Sequence, residues 1–259
     1  MSGQIRVTRE ADAATVTIDN IPKRNAMSQA MWIAMGDAIT ELSADQDLRC
    51  IVIRGAGEAA FGSGADIDEF EAIRATKEQA IAFARHGHRA MHAVRDCPIP
   101  ILAAIRGACV GGGMELAAFC DMRLCSEDSR FGVPIARLGA TLAYAELEGL
   151  MRLAGPVTAL ELLLEGRVID AREAYAKGIV NRVVAAAAFE QELEKTVARI
   201  VAGAPLAARW HKKFVARLRS GQPLLPEEEA EGYACFDTED FRIGYQSFLA
   251  KTAPAFTGK

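Results

Sequence analysis

Two glycine-rich turns and one glutamate are the residues of this chain best suited to chemistry by type and spacing. The first turn is Phe61-Gly62-Ser63-Gly64-Ala65-Asp66-Ile67, and the second runs from Gly107 through Cys109, Val110, Gly111, Gly112 and Gly113 to Glu115. Each directly follows an apolar stretch. Glycine admits left-handed backbone and close approach by another molecule. N–H groups left free at such a turn, above all at the start of a helix, attract a negatively charged oxygen. Two turns of this kind can supply two converging donors, as a developing enolate or a tetrahedral oxyanion requires. Tight turning alone would also explain either turn. Glu115 lies in the first turn of the helix expected from about Met114, where the helix dipole favours a carboxylate. It would also project beside any oxygen held by the Gly112 N–H. The apolar residues that follow, Leu116-Ala117-Ala118-Phe119, would raise its pKa toward proton transfer near neutral pH.

Other chemistries are poorly served. No GxGxxG fits a strand-to-helix turn and no GxxxxGK[ST] is present, which argues against a dinucleotide site or a P-loop. Ser63 lies in a glycine turn that is not the GxSxG elbow of a serine nucleophile. His88 and His92 stand four apart in a helical stretch, a spacing open to a metal, but without an HExxH pattern they read as partly exposed helix histidines. No metal is expected. The cysteines, Cys50, Cys97, Cys109, Cys120, Cys125 and Cys235, form no CxxC pair and read as buried free thiols of a reducing compartment.

The elements that must position these residues follow from periodicity. Residues 5–19 read as two alternating strands joined by Ala11-Asp12-Ala13-Ala14, and Pro22-Lys23-Arg24-Asn25 breaks the pattern. Ser28 caps a helix to about Ala44, and residues 49–55 form a buried strand. Residues 55–64 read as a loop, and Thr76 to Gln79 as a capping box opening a long helix that ends before Pro98. Residues 99–107 form a second buried strand. After Pro156 the chain reads as mostly helical, and the Pro-rich stretch Gln222-Pro223-Leu224-Leu225-Pro226 sets off a helical tail. The alternation implies an α/β fold. The 259 residues are 51% hydrophobic and 25% charged, with a net charge of −4, so a globular chain with a large core is expected. That charge and the lack of a long basic run argue against nucleic acid. No apolar run reaches membrane-spanning length and no signal peptide is visible, so a soluble, cytoplasmic protein is expected.

Taken together, these elements resemble the crotonase superfamily, the enoyl-CoA hydratase/isomerase group. The matching pieces are Pro22-Lys23-Arg24-Asn25-Ala26, the two glycine turns, Cys120-Asp121, Phe131-Gly132-Val133-Pro134, Leu138-Gly139 and Ser247-Phe248-Leu249-Ala250-Lys251. They occur in family order over essentially the whole chain. The resemblance implies a spiral of β-β-α units over residues 1–200 and a C-terminal helical region, 201–259, that assembles trimers or dimers of trimers. It implies an acyl-CoA thioester as substrate, CoA arriving with the substrate and no other cofactor. The thioester oxygen would lie between the N–H groups of Ala65 and Gly112, beside Gly64 and Gly111, with Glu115 as acid/base. Lys23, Arg24, Ser63, Asp66 and Ile67 match positions along the CoA path. Phe248 and Lys251 match tail positions that reach the CoA of a neighbouring subunit.

One position departs from the pattern. Hydratases of this family carry a second glutamate directly after Phe-Gly-x-Pro, where this chain has Ile135. An isoleucine neither gives nor takes a proton. Tyr144 could serve as a proton donor, and Glu146 or Glu148 could reach the pocket, although a solvated helix start is the preferred reading of both glutamates. Glu115 could also act alone. Hydration or isomerisation of an enoyl-CoA is the leading expectation. The alternatives are a specialised crotonase that decarboxylates or hydrolyses an acyl-CoA, and a non-catalytic acyl-CoA-binding protein. The apolar Ile135 further suggests a dry pocket for a bulky acyl group.

Overall fold

The computed structural model describes residues 3–259. Among the described residues there are ten strands and ten α-helices. In chain order they are β1 (Gln4–Glu10), β2 (Ala13–Asp19), α1 (Gln29–Ser43), β3 (Cys50–Gly55), β4 (Ala60–Gly62), α2 (Phe70–Ile73), α3 (Lys77–Asp96), β5 (Ile101–Ile105), β6 (Ala108–Val110), α4 (Gly112–Phe119), β7 (Met122–Ser126), β8 (Arg130–Gly132), α5 (Tyr144–Glu165), β9 (Ile169–Asp170), α6 (Ala171–Ala176), β10 (Arg182–Val184), α7 (Phe189–Val201), α8 (Pro205–Leu218), α9 (Pro226–Glu231) and α10 (Glu239–Ala250). The strands form two sheets, β1-β2-β3-β5-β7-β10 and β4-β6-β8-β9. Successive pairs, β3 then β4, β5 then β6, β7 then β8, each place one strand in either sheet, and helices follow. This is the expected spiral of β-β-α turns.

The large sheet is covered on both faces, which is why its central strands are continuous apolar runs and not alternating ones. Ile51, Ile53, Ile101, Ala103 and Ile105 face α1 and α3. The intervening Cys50, Val52, Leu102 and Ala104 face Phe189 and Leu193 of α7. On the first face Met31, Trp32, Met35, Ile39 and Leu42 of α1 pack with Ala90, Met91 and Val94 of α3. Gly36 lies where the two helices meet, and a Cβ there would be in ordinary contact, 3.5 Å from the Ala90 Cα. Both start signals read from sequence are built. The Ser28 side chain accepts from the Met31 N–H, and Thr76 and Gln79 form a reciprocal capping box.

Several boundaries differ from the sequence reading. The β1–β2 turn is only Ala11-Asp12, with Ala11 at φ +50°, and Ala13 and Ala14 already belong to β2. The stretch 55–64 contains β4, and the region after Pro156 contains β9 and β10, strands of two or three residues. Such strands are defined by their partners: Phe131 pairs with Ile169, and Val183 with Cys125. By contrast, Pro156 does open a helical segment as read: α5 is two segments joined at a break at Gly155 (φ 76°, ψ 163°). That break relieves the clash a mid-helix proline otherwise creates. Helix α4 starts at Gly112, two residues before Met114, which puts the Gly112 N–H itself at the helix start.

Candidate active site

The two glycine turns meet. Gly64, at φ +105°, lies so close to the second turn that a Cβ on it would sit 3.5 Å from the Gly112 N. A Cβ on Gly113 would fall 2.3 Å from the Gly62 carbonyl oxygen, so β4 and the start of α4 are in direct backbone contact. Gly111, at φ +51° and ψ −129°, caps α4 in a conformation that L side chains rarely adopt. Local pairing leaves the N–H groups at the meeting point without partners. Met27 donates to the Gly64 oxygen at 2.8 Å, and Asp66 donates to the Met27 oxygen at 3.0 Å. The Ala65 N–H between them has no partner among the described residues. The Gly112 N–H is likewise among the unpaired donors that begin a helix.

Both turns line a cavity of about 330 Å³ whose other walls come from α1, α2, α3, α5 and residues 133–142. Its surface is largely apolar, with Trp32, Phe70, Phe83, Met91 and Leu142 among its side chains. Glu115 lines it one turn into α4. Burial, reinforced by the charge of Glu146, pushes the Glu115 carboxyl up to about 8. It therefore holds its proton near neutral pH and gives it up within reach of that pH.

A second carboxylate enters the cavity from an element to which sequence reasoning gave a solvated start. Glu146, in the first turn of α5, lines the same cavity, and its side chain is only 14% exposed. Its Oε1 lies 2.7 Å from the His88 Nε2 of α3, and its Oε2 is buried with no hydrogen-bond partner. Burial opposes its ionisation, but the His88 hydrogen bond helps leave its pKa below the ordinary value. The same hydrogen bond raises His88 against the effect of burial. The solvated reading holds only for Glu148, which pairs with Arg152 on the α5 surface. Tyr144 is a correction of another kind. It is 93% exposed and lies outside the cavity, because it opens α5 on the face opposite to the one that Glu146 turns inward. Ile135 does line the cavity and packs on the core, without replacing the carboxylate chemistry expected there.

The residues matched to the CoA path form a connected edge of the site. Lys23 Nζ pairs with Asp66 at 2.5 Å and Asp68 at 2.8 Å, which pushes its pKa up to about 12. The Ser63 hydroxyl donates to the Lys23 carbonyl at 3.1 Å, tying the Lys23-Arg24-Asn25 loop to the first turn. Ser63, Gly64, Ala65 and Ile67 line the cavity; Lys23, Arg24 and Asp66 do not. Phe248 and Lys251, on the exposed end of α10, lie away from it within one chain.

Arg74 was not foreseen. Its guanidinium lies over the rings of Phe70 (4.4 Å) and Phe83 (4.7 Å) at the cavity wall, and burial lowers its pKa. His88 carried a readable signal, since it follows Gly87 and precedes Met91 on the buried side of α3. Among the described residues no three of His, Cys, Asp or Glu cluster as metal ligands. No described helix is long and apolar enough to cross a membrane.

Two sheets wound in β-β-α turns, with two glycine turns and a buried glutamate around one cavity, define a class of fold and a candidate site, and comparison with known proteins matches the chain and its fold. A family model described as enoyl-CoA hydratase/isomerase matches residues 8–259. A probable enoyl-CoA hydratase of Bacillus subtilis is 33% identical over 258 residues, 95% of each chain. A crotonyl-CoA hydratase of Syntrophomonas wolfei is 31% identical, with 98% of each chain covered. Among solved structures, an enoyl-CoA hydratase/carnithine racemase of Magnetospirillum magneticum is 47% identical at a TM-score of 0.97, covering 98% of this chain and 96% of that one. The chain belongs to the enoyl-CoA hydratase/isomerase family and is an enzyme of the hydratase type with the crotonase fold.

Proposed function

We propose that this enzyme binds an acyl-CoA thioester in the 330 Å³ cavity and adds water to, or removes it from, an enoyl-CoA, with isomerisation of the double bond as the related outcome. The thioester oxygen accepts hydrogen bonds from the Ala65 and Gly112 N–H groups. Holding the enolate oxygen there lowers the barrier to charge development at C2, and a single such donor typically changes the rate by a factor of ~10²–10³. Glu115 exchanges the C2 proton. The observation that carries this reading is the buried Glu115 carboxyl, pushed up to about 8 by its burial, in the cavity where the two turns meet. CoA enters with the substrate along Ser63 and Ile67, with Lys23, Arg24 and Asp66 at the edge. No further cofactor is required.

The chain acts as a trimer or a dimer of trimers through its C-terminal region, 201–259, which places Phe248 and Lys251 beside the CoA of a neighbouring subunit. The exposed Phe236, Tyr245, Phe248 and Leu249 of that region support this assembly. The buried, unpaired thiols of Cys50, Cys97, Cys109, Cys120 and Cys125 fit a cytoplasmic setting. Decarboxylation, hydrolysis and binding without catalysis all draw their case from Ile135, and Glu146 at the cavity wall weakens that case.

The test is the ultraviolet absorbance of crotonyl-CoA incubated with the enzyme and with Glu115→Gln. Loss of enoyl absorbance with formation of 3-hydroxybutyryl-CoA, abolished in the variant, is the expected result. CoA-ester binding without turnover in either protein would sink the hydratase reading.

A further inference from the structure

Glu146 Oε2, in a side chain at the cavity wall, is a buried polar atom without a hydrogen-bond partner among the described residues. An orphaned buried acceptor costs stability and calls for a partner. Here one oxygen is fixed by His88 at 2.7 Å and the other is left free in a side chain that lines the cavity. His88 is itself held on α3, a 20-residue helix packed on the core, so the carboxylate is supported from an element other than its own. Glu115 and Glu146 are close enough that the charge of one raises the other. The family's second carboxylate position is isoleucine in this chain, yet the cavity still holds two carboxyl groups.

We propose that Glu146, oriented by His88, is the second catalytic carboxylate, and that it takes a proton from the water that attacks C3 of the enoyl thioester. This rests on the hydration reading above. The water oxygen bonds to C3, and its departing proton goes to Glu146 Oε2. The C2–C3 π electrons move onto the thioester, whose oxygen is held at Ala65 and Gly112, and Glu115 then delivers its proton to C2. The two carboxyls end with their protonation exchanged, and proton transfer through solvent resets them as product leaves. Their environments match these roles, since Glu146 is held ionised and Glu115 protonated. The other charged groups around the pair are Arg74 and Arg137 at the cavity wall, His92 beside His88 with ring centroids 6.4 Å apart, and Glu148 with Arg152 on the outer side of α5. His88 is a positioning residue, acting through Glu146.

Two reactions separate Glu146 from the rest of the site: hydration of crotonyl-CoA, and exchange of the C2 protons of butyryl-CoA in D2O followed by NMR. The second needs the oxyanion donors and Glu115 but no attacking water. For Glu146→Gln, kcat for hydration is expected to fall by ~10²-fold or more, with KM within a few-fold and proton exchange retained. His88→Gln, which keeps a hydrogen-bond donor but cannot carry charge, is expected to move the acidic limb of the hydration pH profile upward, because Glu146 then ionises at higher pH. The exchange profile, set by Glu115, is expected to move less, because His88 acts on that carboxyl only through its charge and not through a hydrogen bond. Hydration by Glu146→Gln within threefold of the parent, or equal loss of both reactions, overturns the proposal; should that variant not fold, an unmoved acidic limb in His88→Gln does so. A parent enzyme that exchanges protons but does not hydrate also overturns it and leaves the Glu115 site standing. A parent that does neither overturns the functional reading itself.

Discussion

Glu115 combines two effects that can be measured apart. In the proposed role of exchanging the C2 proton, it would contribute catalysis of the order that acid–base groups usually supply, so Glu115→Gln should lower kcat for crotonyl-CoA by ~10²–10⁴. Its raised pKa also makes a statement about stability. The unfolded chain ionises this glutamate near the ordinary value of 4.5, while the folded chain keeps the proton to about 8. Between those values the native state binds the extra proton, so the folded state loses stability as pH rises through the window. Glu115→Gln carries no such dependence. The Tm difference, variant minus parent, should therefore be smallest near pH 4.5, grow toward pH 8 and then level off. Each kcal/mol recovered is worth about 2–4 °C in a chain of this size. A difference that is flat across the window would mean that the carboxyl ionises normally in the free enzyme. Glu115 was legible because its environment is local: three glycines before it and an apolar helix after it. Glu146 was not, since a glutamate opening a helix is ordinarily solvated. What buries it is His88, 58 residues away in sequence. Tyr144 stood out by its chemistry, but chemical type without the facing direction of α5 could not place it.

Between residue and molecule stands the approach of β4 to α4, on which the site geometry depends. Gly62 and Gly113 touch backbone to backbone, and a methyl group on Gly113 would have to displace the Gly62 carbonyl from 2.3 Å. Overpacking of this kind costs about 1–3 kcal/mol. Gly113→Ala should lower Tm accordingly and reduce kcat more than KM, because the shift separates Ala65 from Gly112. Unchanged kcat in a destabilised variant would argue that the two turns act independently. Asn25 anchors the preceding loop in a similar way. Buried at φ +57°, it accepts from the Asn20 N–H at 3.0 Å and donates to the Ala56 and Ala60 oxygens at 3.0 and 2.6 Å. Asn25→Ala leaves those groups unpaired at about 1–3 kcal/mol each, and the unfolding midpoint in urea should fall with an unchanged m-value. At this scale the sequence was readable where one element carries its own pattern: the capping box of α3, the run of β5, the alternation of β2. It failed for β4, β9 and β10, which are too short for any period and exist through their neighbours.

On the scale of the whole molecule, the order of the motifs along the chain made the spiral legible, since each turn of the spiral repeats a strand, a turn and a helix. The proposed assembly was expected only through the resemblance, and the exposed apolar side chains near the C-terminus are what supports it on the surface. Single exposed apolar residues are ordinary, but Phe236 (57% exposed), Tyr245 (58%), Phe248 (82%) and Leu249 (63%) fall within one short stretch of the C-terminal region. Burying a side chain of this size stabilises a contact by about 1.5–3 kcal/mol. Light scattering on the eluting protein should therefore give three or six times the chain mass, and Phe248→Glu should shift it to smaller species; a parent that elutes as one chain would remove the basis for a shared site. The consequence for catalysis is separable by substrate. If Lys251 reaches the nucleotide of CoA on a neighbouring subunit, Lys251→Ala should raise KM for crotonyl-CoA several-fold and leave KM for crotonyl-pantetheine, which lacks the nucleotide, unchanged. An equal rise for both would place the effect of Lys251 in the fold of α10, where its φ of +55° closes the helix. No change for either would detach the tail from the CoA path.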